Sequence, residues 1–413
     1  MAERPTGNPI VIIGGGMAGG NAAATLRAEG FPGPVVLISR EPGVPFGRPP
    51  LSKTYLRSEE ELDGWYVRPA DWYADHDVEL RRETVAAIDP AAHTVTLDSG
   101  ERLGYQKVLI ATGGRNRRLK TPGADLPGIH YLRTVAECDA IKQEAAPGRR
   151  AVIVGMGFIG SEVAASLTQL GVQVTVAFPG RAPLERVLGG QVGGVMGAIH
   201  RANGVELLPG DQVTAFEGTE RLEAVVTAAG RRIACDFAVA GIGIEPDSPA
   251  VAAAQENGIL VDELCRASAP DVYVAGDLAN ILHPLFGRVR VEHYNNAEKQ
   301  GAAAARSMLG STAPYDYIYS FWSEQYKHKL EYVGFARRWE RLVLRGRYDS
   351  KRFLAFYLTQ GVLQAAFGLN RGGDPELEAD AELRACQALI RDRIRLEEAS
   401  LADERVDLWT LTS

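Results

Sequence analysis

The sequence contains only four cysteines, Cys138, Cys235, Cys265 and Cys386, and no two of them form a C-x-x-C or C-x-x-x-x-C pair. A dithiol relay needs two closely spaced thiols, so this spacing argues against one. The seven histidines are dispersed and no H-E-x-x-H motif occurs, so we expect no metal site. We interpret the cysteines as small buried or surface residues.

Long apolar runs and an excess of basic residues are also missing. No run approaches the roughly 20 apolar residues of a membrane-spanning helix, and the polar segment Met1–Pro9 lacks the apolar region of a signal peptide. The formal net charge of −7 gives a nucleic-acid partner no electrostatic support. At 413 residues, 46% of them hydrophobic, the chain is expected to form two or three domains of a cytoplasmic protein without membrane or nucleic-acid partners.

The sequence does contain two glycine-rich loops of the same kind. Gly14–Gly19, with the letters GGGMAG, follows the apolar run Ile10–Ile13, and Gly155–Gly160, with the letters GMGFIG, follows Ala151–Val154. A helix-forming, alanine-rich stretch comes after each loop. Glycines let the backbone approach a pyrophosphate, which then lies at the positive end of the following helix. Two such units predict two dinucleotides held close together, with electrons passing between them.

The segments that follow the first loop contain candidate ligand contacts. The segment Ser39-Arg40-Glu41 follows the predicted second strand, Val35–Ile38, at the distance from the loop where a carboxylate binds ribose hydroxyls, and we choose Glu41 as the ribose ligand. The proline-rich segment Pro45–Lys53 carries the cations Arg48 and Lys53. We interpret these cations as anion or flavin contacts; an ordinary proline-rich loop is the alternative.

Two further strands end in small residues, where a backbone can approach a ligand. Val108–Gly114 ends in Thr-Gly-Gly, and Asp271–Asp277 ends in Ala-Gly-Asp, whose carboxylate suits ribityl or ribose hydroxyls. Glycine and proline at Lys120–Gly123 and Asp236–Pro246 predict crossovers between domains.

From about Tyr315 onward, aromatic and β-branched residues alternate with polar ones, which is the period-two pattern of an antiparallel sheet. The predicted fold class is therefore α/β, with two Rossmann-like dinucleotide-binding domains and a C-terminal α+β domain with an antiparallel sheet. In that last domain we expect strands at Lys329–Val333, Arg341–Val343, Phe353–Tyr357 and Gly361–Phe367, and then a charged helix at roughly Pro375–Leu396.

These landmarks, in this order, resemble the FAD-dependent ferredoxin reductases of oxygenase electron chains, of the putidaredoxin and rubredoxin reductase kind. The most specific segments are Arg48–Lys53, Ala275–Asp277, Val291–Ala297 and Ser320–Ser323. The resemblance implies an FAD-binding domain in two parts, an inserted NAD(P)-binding domain and a C-terminal reductase domain, which we place at residues 1–121 and 244–314, 122–243, and 315–413.

The same resemblance implies the residues that bind each nucleotide. FAD is expected on Gly14, Gly16, Ala18, Gly19, Glu41, Arg48, Lys53, Val85, Thr112, Gly113, Arg133, Asp277, His293, Tyr294 and Trp322. The nicotinamide nucleotide is expected on Gly157, Phe158, Ile159, Gly160, Glu162, Arg186, Gly243 and Glu292.

The implied activity is transfer of electrons from NAD(P)H through FAD to a small iron–sulfur carrier, a ferredoxin or rubredoxin. Hydride transfer between the two nucleotides needs alignment and suitable electrostatics rather than an acid or a base. Our candidate catalytic residues are Lys53 and Glu162, as a buried ion pair beside the flavin, and Trp322 at its edge. The alternatives are a phosphate clamp for Lys53, a helix-surface position for Glu162, and ordinary core or structural roles for Trp322 and His293.

The nicotinamide domain departs from the ferredoxin reductase pattern at one position. Phe178 stands where most of these reductases carry a glutamate, and Phe178-Pro179-Gly180 is more similar to apoptosis-inducing factor and monodehydroascorbate reductase. Without that carboxylate a 2′-phosphate is not repelled, and Arg181 or Arg186 could bind it. We expect NADH to be the donor, with NADPH as the alternative.

The acceptor, the partner surface and the oligomeric state are open at this point. The protein is expected to be a monomer or a homodimer. The alternatives to a ferredoxin reductase are an NADH oxidase, a quinone or monodehydroascorbate-type reductase, and an NADH-sensing flavoprotein similar to apoptosis-inducing factor. Candidate docking cations for an acidic carrier are Arg115, Arg117, Arg118 and Lys120, and, near the C-terminus, Arg337, Arg338, Arg341, Arg345 and Arg347.

Overall fold

The computed structural model describes residues 7–412, so residues 1–6 of the polar segment Met1–Pro9 lie outside the described part. Strands and helices alternate from the first glycine-rich loop onward. Up to residue 144 the elements are β1 (Ile10–Ile13), α1 (Met17–Ala28), β2 (Val35–Ser39), α2 (Ala70–Asp75), β3 (Val78–Arg82), β4 (Val85–Asp89), β5 (Thr94–Leu97), β6 (Arg102–Gly104), β7 (Lys107–Ile110), β8 (Gly114–Asn116), β9 (Ile129–His130) and α3 (Val135–Glu144).

The second glycine-rich loop opens the next series of elements. These are β10 (Arg150–Val154), α4 (Phe158–Gln169), β11 (Gln173–Phe178), α5 (Glu185–Ala202), β12 (Glu206–Pro209), β13 (Val213–Glu217), β14 (Ala224–Thr227), β15 (Arg232–Ala234), β16 (Phe237–Ala240) and β17 (Ile244–Pro246).

The remaining elements include the strands of the predicted C-terminal domain. They are β18 (Ala250–Val251), β19 (Ile259–Val261), β20 (Val272–Val274), β21 (Ala279–His283), β22 (Gly287–Val289), α6 (Tyr294–Met308), β23 (Ser320–Gln325), β24 (His328–Gly334), β25 (Arg341–Arg347), β26 (Arg352–Thr359), β27 (Val362–Leu369), α7 (Glu382–Asp392) and α8 (Glu398–Ala402).

The chain divides into two compact units. The first contains the residues up to Pro49, Glu61–Arg115 and Ile244–Tyr317; the second contains Pro50–Glu60, Asn116–Gly243 and the chain from Ile318 onward. The second unit thus combines the predicted NAD(P)-binding segment with the predicted C-terminal domain. The division into three domains at the residues given above stays a prediction.

The first unit is built on a parallel five-stranded sheet with the order β3-β2-β1-β7-β20. Its short apolar strands, such as Ile10–Ile13, are buried, as is usual for parallel strands covered by helices. Helices α1 and α6 pack tightly, since a Cβ atom on Gly301 would lie 2.2 Å from the carbonyl oxygen of Ala18. This packing holds α1, and the glycine loop before it, against the sheet.

The second unit contains one parallel and one antiparallel five-stranded sheet. The parallel sheet has the order β12-β11-β10-β16-β9. The antiparallel sheet has the order β23-β24-β27-β26-β25. In both parallel sheets the first three strands of the βαβ series stand in the order 3-2-1, as in dinucleotide-binding folds.

Helix α5 packs its apolar side on the antiparallel sheet. The hydroxyl of Tyr357 donates a hydrogen bond to the Leu188 carbonyl at 3.0 Å, so the contact has a polar component as well. A buried hydrophobic cluster forms between the helix and the sheet. It contains α5 residues spaced at helical intervals and aromatic residues of the sheet, namely Leu188, Val192, Met196 and Ile199 with Phe321, Tyr332, Phe353, Tyr357 and Phe367.

The C-terminal strands predicted from the alternating pattern are present, but the charged helix is shorter than predicted. It begins at Glu382 rather than Pro375, and it ends at Asp392, because Arg393 adopts a left-handed backbone conformation with φ of 55°. Before it, Leu377 and Glu378 donate backbone hydrogen bonds to the Asp374 carbonyl in turns. Across residues 7–412, no helix combines the length and apolarity that crossing a bilayer requires.

Candidate active site

The two glycine-rich loops have matching backbone geometry. Gly14 and Gly155 each turn the chain with positive φ, 123° and 99°. A side chain at either position would also collide with the backbone. A Cβ atom on Gly14 would lie 2.2 Å from the carbonyl oxygen of Ala111, and a Cβ atom on Gly155 would lie 2.6 Å from the carbonyl oxygen of Gly241. The first glycine of each loop therefore makes the tight turn out of the strand.

The middle glycines, Gly16 and Gly157, differ because they face open space. A Cβ atom on either would meet no atom within 4 Å. Each is the N-cap of its helix, α1 or α4, without a side-chain hydrogen bond and without an acidic residue in the first turn. A pyrophosphate fits such a place, because the first N–H groups of a helix need an acceptor and favour negative charge.

The third glycines, Gly19 and Gly160, let each helix pack on its loop. A Cβ atom on Gly19 would lie 1.9 Å from the carbonyl oxygen of Gly14, and a Cβ atom on Gly160 would lie 2.3 Å from the carbonyl oxygen of Gly155. Turn, ligand approach and helix packing are thus divided among three glycines in both loops. The residues present fit two dinucleotides.

In the first unit, several of the predicted FAD residues stand just after the carboxyl ends of strands in the parallel sheet. Glu41 follows β2, Thr112 and Gly113 follow β7, and Asp277 follows β20. The carboxylate of Glu41 forms an ion pair with Arg48. The hydroxyl of Thr112 donates to the backbone carbonyl of Asp247, so this hydroxyl fixes the loop.

The segment before α6 contains His293 and Tyr294. Burial lowers the pKa of His293 to about 4, although Asp277 acts in the opposite direction, so the imidazole is neutral near pH 7. The ring of Tyr294 meets that of Trp65 edge to face, with centroids 6.2 Å apart. Val85, at the start of β4, is buried.

Glu292 and Asp277 are joined through Arg290. Its guanidinium forms an ion pair with the Glu292 carboxylate at 2.7 Å and donates to the Asp277 carbonyl at 2.8 Å. The Arg290 side chain is only 7% exposed. The sequence analysis gave Arg290 no role, because an arginine beside a motif looks like an ordinary surface residue until its contacts are known.

The second unit brings together all three candidate catalytic residues. The Nζ atom of Lys53 lies 2.8 Å from Oε2 of Glu162, with 7% and 5% of the two side chains exposed. The same ammonium group lies 5.1 Å from the centroid of the Trp322 ring. The alternative that Glu162 is a helix-surface residue is therefore wrong. Whether these residues contact the flavin stays a prediction.

Two serine hydroxyls complete the surroundings of the Glu162 carboxylate. Ser52 donates to Oε2 at 2.5 Å, and Ser323 donates to Oε1 at 2.6 Å. Ser166, one helical turn along α4 from Glu162, donates to the Ser52 carbonyl at 2.7 Å. The segments Arg48–Lys53 and Ser320–Ser323 contain these two serines, but the sequence alone assigned neither Ser52 nor Ser323 a role.

The hydrogen bonds continue from Ser323 to a buried histidine. The amide nitrogen of Gln325 donates to the Ser323 hydroxyl at 3.3 Å, and the Gln325 amide oxygen lies 3.1 Å from Nε2 of His200. The hydroxyl of Tyr326 lies 3.0 Å from Nδ1 of the same ring. Burial lowers the pKa of His200 to about 4. A neutral ring that donates from Nε2 and accepts at Nδ1 satisfies every one of these contacts.

The predicted nicotinamide-nucleotide residues lie around the second loop. The ring of Phe158 meets Phe321 edge to face at 4.9 Å. Ile159, in the first turn of α4, is 45% exposed. Gly243 follows β16, and its carbonyl accepts from the Arg117 backbone N–H at 3.0 Å. Arg186 is exposed on α5.

Two predicted residues need separate comment. Arg133 belongs to the second unit, not to the unit that contains Gly14, and its backbone N–H donates to the Glu137 carboxylate at 2.8 Å. Arg345 was a candidate docking cation, and that prediction is wrong. It is 3% exposed, with hydrogen bonds to the Glu382 carboxylate and to the carbonyls of Asp403 and Val406.

The cysteines agree with the simple interpretation of the sequence. All four cysteines are free and buried. Burial raises the pKa of Cys138 and of Cys235 to about 12. Within residues 7–412, no three His, Cys, Asp or Glu side chains are grouped so that they could hold a metal ion.

Comparison with known proteins defines the class to which this site belongs. Residues 8–301 match the family described as pyridine nucleotide-disulphide oxidoreductase, and residues 320–412 match the one described as reductase C-terminal. The chain belongs to the pyridine nucleotide-disulphide oxidoreductase family, and it is an oxidoreductase that uses FAD and a nicotinamide nucleotide.

Within that class, the chain is similar to ferredoxin reductases along its length. It is 38% identical to the 5,5'-dehydrodivanillate O-demethylase ferredoxin reductase subunit of Sphingobium sp., with 98% of each chain covered. A crystal structure of a ferredoxin reductase from Rhodopseudomonas palustris matches with a TM-score of 0.92 and 31% identity, covering 98% of this chain and 100% of that one. The covalent putidaredoxin reductase–putidaredoxin complex also matches with a TM-score of 0.92, at 32% identity and with 98% of each chain covered.

These comparisons confirm the resemblance inferred from the sequence, and they confirm the fold class. Parallel-sheet dinucleotide-binding domains and a C-terminal antiparallel sheet occur together in the matched structures. The assignment of individual residues to FAD or to the nicotinamide nucleotide stays a prediction.

Proposed function

We propose that this protein passes electrons from NAD(P)H, through FAD, to a small iron–sulfur carrier of the ferredoxin or rubredoxin type in the cytoplasm. The observation that carries the proposal is the match to ferredoxin reductases over 98% of the chain, including the C-terminal domain. The neighbouring structure of a reductase joined to putidaredoxin supports a small electron carrier as the partner.

The electron count fits this kind of acceptor. One NADH supplies a hydride, which is two electrons and one proton, and each carrier takes one electron. The balanced reaction is therefore NADH and two oxidised carriers giving NAD⁺, two reduced carriers and one proton. The chemistry that bound FAD supplies is to accept the hydride and to release its electrons singly.

In this proposal, the protein contributes a fixed positive charge and alignment. Lys53 supplies the charge that favours reduced flavin, and Glu162 holds its ammonium group in place. The hydroxyls of Ser52 and Ser323 fix the carboxylate, so the lysine does not need to reorganise when charge develops. Trp322 packs over the lysine and lies on the route by which electrons leave.

After Arg345 is set aside, the C-terminal candidates for docking an acidic carrier are Arg337, Arg338, Arg341 and Arg347, and they carry this part of the proposal to different degrees. The Arg347 guanidinium is paired with the neighbouring Asp349, and that of Arg341 lies 3.7 Å from the Glu398 carboxylate. Arg338 is exposed. Electron transfer to the carrier should accordingly slow steeply as the salt concentration rises.

The experiment is anaerobic stopped-flow mixing of the purified flavoprotein with NADH and, separately, with NADPH. Flavin absorbance reports the reduction. The reduced protein is then mixed with air-saturated buffer or with an added ferredoxin. We expect fast reduction, slow reoxidation by air, and rapid reoxidation by ferredoxin at low salt.

Other outcomes would identify the alternatives. Rapid reoxidation by air and no effect of ferredoxin would indicate an oxidase. A reduced complex that lasts many minutes and changes the apparent size on chromatography would indicate an NADH sensor. Protein that takes up no flavin on reconstitution would rule out the whole proposal.

A further inference from the structure

The strand that should supply a ribose-binding carboxylate does not supply one. In a dinucleotide-binding βαβ unit, the acidic residue that holds the adenosine ribose stands about 20 residues past the glycines, after the second strand. That strand, β11, ends here in Phe178, which is 3% exposed. A buried phenyl ring cannot hydrogen-bond ribose hydroxyls.

A carboxylate reaches the same edge of the sheet from the next helix. Glu185 is the first residue of α5, and its Oε2 atom accepts the backbone N–H of Arg181 at 2.8 Å. The ideal Cβ position on Gly180 is 3.3 Å from that oxygen and 3.7 Å from the Phe178 ring. The carboxylate therefore lies beside the end of β11.

The backbone also ties Glu185 to the glycine-rich loop. Leu184, the residue before it, adopts a left-handed conformation with φ of 56°. The Leu184 N–H donates to the Met156 carbonyl at 3.0 Å, and Met156 lies between the first two glycines of the loop. The start of α5 is thus attached to the loop that would carry the pyrophosphate.

The charges around this place favour a neutral ribose over a phosphorylated one. Arg181 and Arg186 are exposed, so solvent screens their attraction for a 2′-phosphate. Glu185 is only half-exposed and its carboxylate is fixed by the Arg181 N–H, so its repulsion of a phosphate acts from a defined position. An ionised carboxylate can only accept hydrogen bonds, and ribose hydroxyls can donate them, whereas a 2′-phosphate replaces the donor with negative charge.

We propose that Glu185 binds the adenosine ribose hydroxyls of the nicotinamide nucleotide and makes this protein select NADH over NADPH. A helix-borne carboxylate replaces the strand-end carboxylate that Phe178 has displaced. The inference rests on the proposed function to the extent that a nicotinamide nucleotide binds at the second loop.

The test compares Glu185→Gln with a matched control, Glu220→Gln. Glutamine keeps an oxygen that can accept the Arg181 N–H, and Glu220 is an exposed glutamate in a loop of the same segment. For Glu185→Gln, we expect the ratio of kcat/KM for NADH to that for NADPH to fall at least about tenfold, which corresponds to ~1.4 kcal/mol. The control should keep the wild-type ratio.

A binding measurement separates this role from that of a helix cap. Calorimetric titration of the flavin-loaded protein with ADP and with 2′,5′-ADP gives affinities that do not depend on turnover. Glu185→Gln should weaken ADP and strengthen 2′,5′-ADP. Equal losses for both probes, or unchanged affinities with a normal flavin spectrum, would mean that Glu185 only caps α5.

The two proposals fail in different ways. If neither NADH nor NADPH reduces the wild-type flavin, the proposed function is wrong, but the affinities for ADP and 2′,5′-ADP still decide the role of Glu185. If NADH reduces both proteins normally and the selectivity is unchanged, the proposal for Glu185 is wrong and the function stands. Wild-type protein that binds neither probe would also overturn the proposal for Glu185.

Discussion

The ion pair of Lys53 and Glu162 shows how a charged group is kept inside this protein. Removing two charges from water is costly, and the cost is offset only where geometry is good and the remaining hydrogen-bonding capacity is used. Here the ammonium group contacts Oε2 of the carboxylate. Ser52 donates a hydrogen bond to the same oxygen, and Ser323 donates one to Oε1. The arrangement suits a fixed charge more than it suits high stability.

Replacing Lys53 with methionine tests both aspects. The variant keeps most of the side-chain volume but leaves the Glu162 carboxylate buried without its cation, so we expect the free energy of unfolding to fall by about 3 kcal/mol or more. Flavin reduction by NADH should slow at least about tenfold, since a preorganised charge is lost. Chemical denaturation and stopped-flow absorbance measure the two effects.

The double variant Lys53→Met/Glu162→Gln separates them. Without the buried charge most of the stability should return, while reduction stays slow. Lys327→Met, at an exposed position, is the control for loss of a lysine. Wild-type reduction rates in Lys53→Met would contradict the role assigned to Lys53.

At the scale of elements, different glycines of each glycine-rich loop serve the fold and the expected binding of a nucleotide. Gly14 and Gly155 have positive φ and no room for a side chain, so they serve the fold. Gly16 and Gly157 have φ of −95° and −78° and open space in front of them. An added methyl group at those two positions would meet no protein atom within 4 Å, so we expect it to meet the nucleotide instead.

Gly16→Ala and Gly157→Ala should therefore fold but bind poorly, each for a different nucleotide. Either change should cost only about 1 kcal/mol of stability, the typical effect of placing alanine at an N-cap. Gly16→Ala should lower the FAD content, measured by absorbance. Gly157→Ala should retain FAD and raise KM for NADH.

The control is Gly14→Ala, which should destabilise the protein whether or not a nucleotide is present. If Gly16→Ala retained full FAD and Gly157→Ala lost it, the assignment of the two loops would be reversed.

Local patterns in the sequence predicted the elements that depend on local rules. A sequence shows two such patterns directly: the apolar runs before Gly14 and Gly155, and the alternation of apolar and polar residues after Tyr315. The pairing of Lys53 with Glu162 came only from the family resemblance. Ser323 was missed because its partner is 161 residues away along the chain, and no spacing rule connects them.

Helix α7 and Arg345 were misjudged for a related reason. Charged residues continue before Glu382, so the composition alone extends the helix, whereas the turns at Asp374 stop it. Arg345 lies in an arginine-rich stretch that looks solvated, but its strand turns it inward to carbonyls near the end of the chain. Only the tertiary fold distinguishes it from its neighbours.

At the scale of the whole molecule, burial keeps most of the histidines neutral. Desolvation is the first cause in each case, and the pKa of His200 falls from 6.5 to about 4. The histidines whose pKa is lowered are His130, His200, His283, His293 and His328.

The protein should consequently lose stability on mild acidification. Below pH 6.5 the unfolded chain binds protons that the folded chain does not, so unfolding is favoured as the pH falls toward 4. For His200 alone the loss amounts to about 3 kcal/mol over that range. Urea titrations at several pH values measure it. His200→Gln should flatten the dependence, and exposed His76→Gln should not; equal slopes in both variants would contradict the assignment.

The burial of all four thiols has a practical consequence. Iodoacetamide and maleimides attack thiolates, and groups with so high a pKa form almost none at neutral pH. The native enzyme should thus survive alkylation without loss of turnover. A cysteine substituted for exposed Ser350 could be coupled to a dye or an electrode without labelling the native thiols.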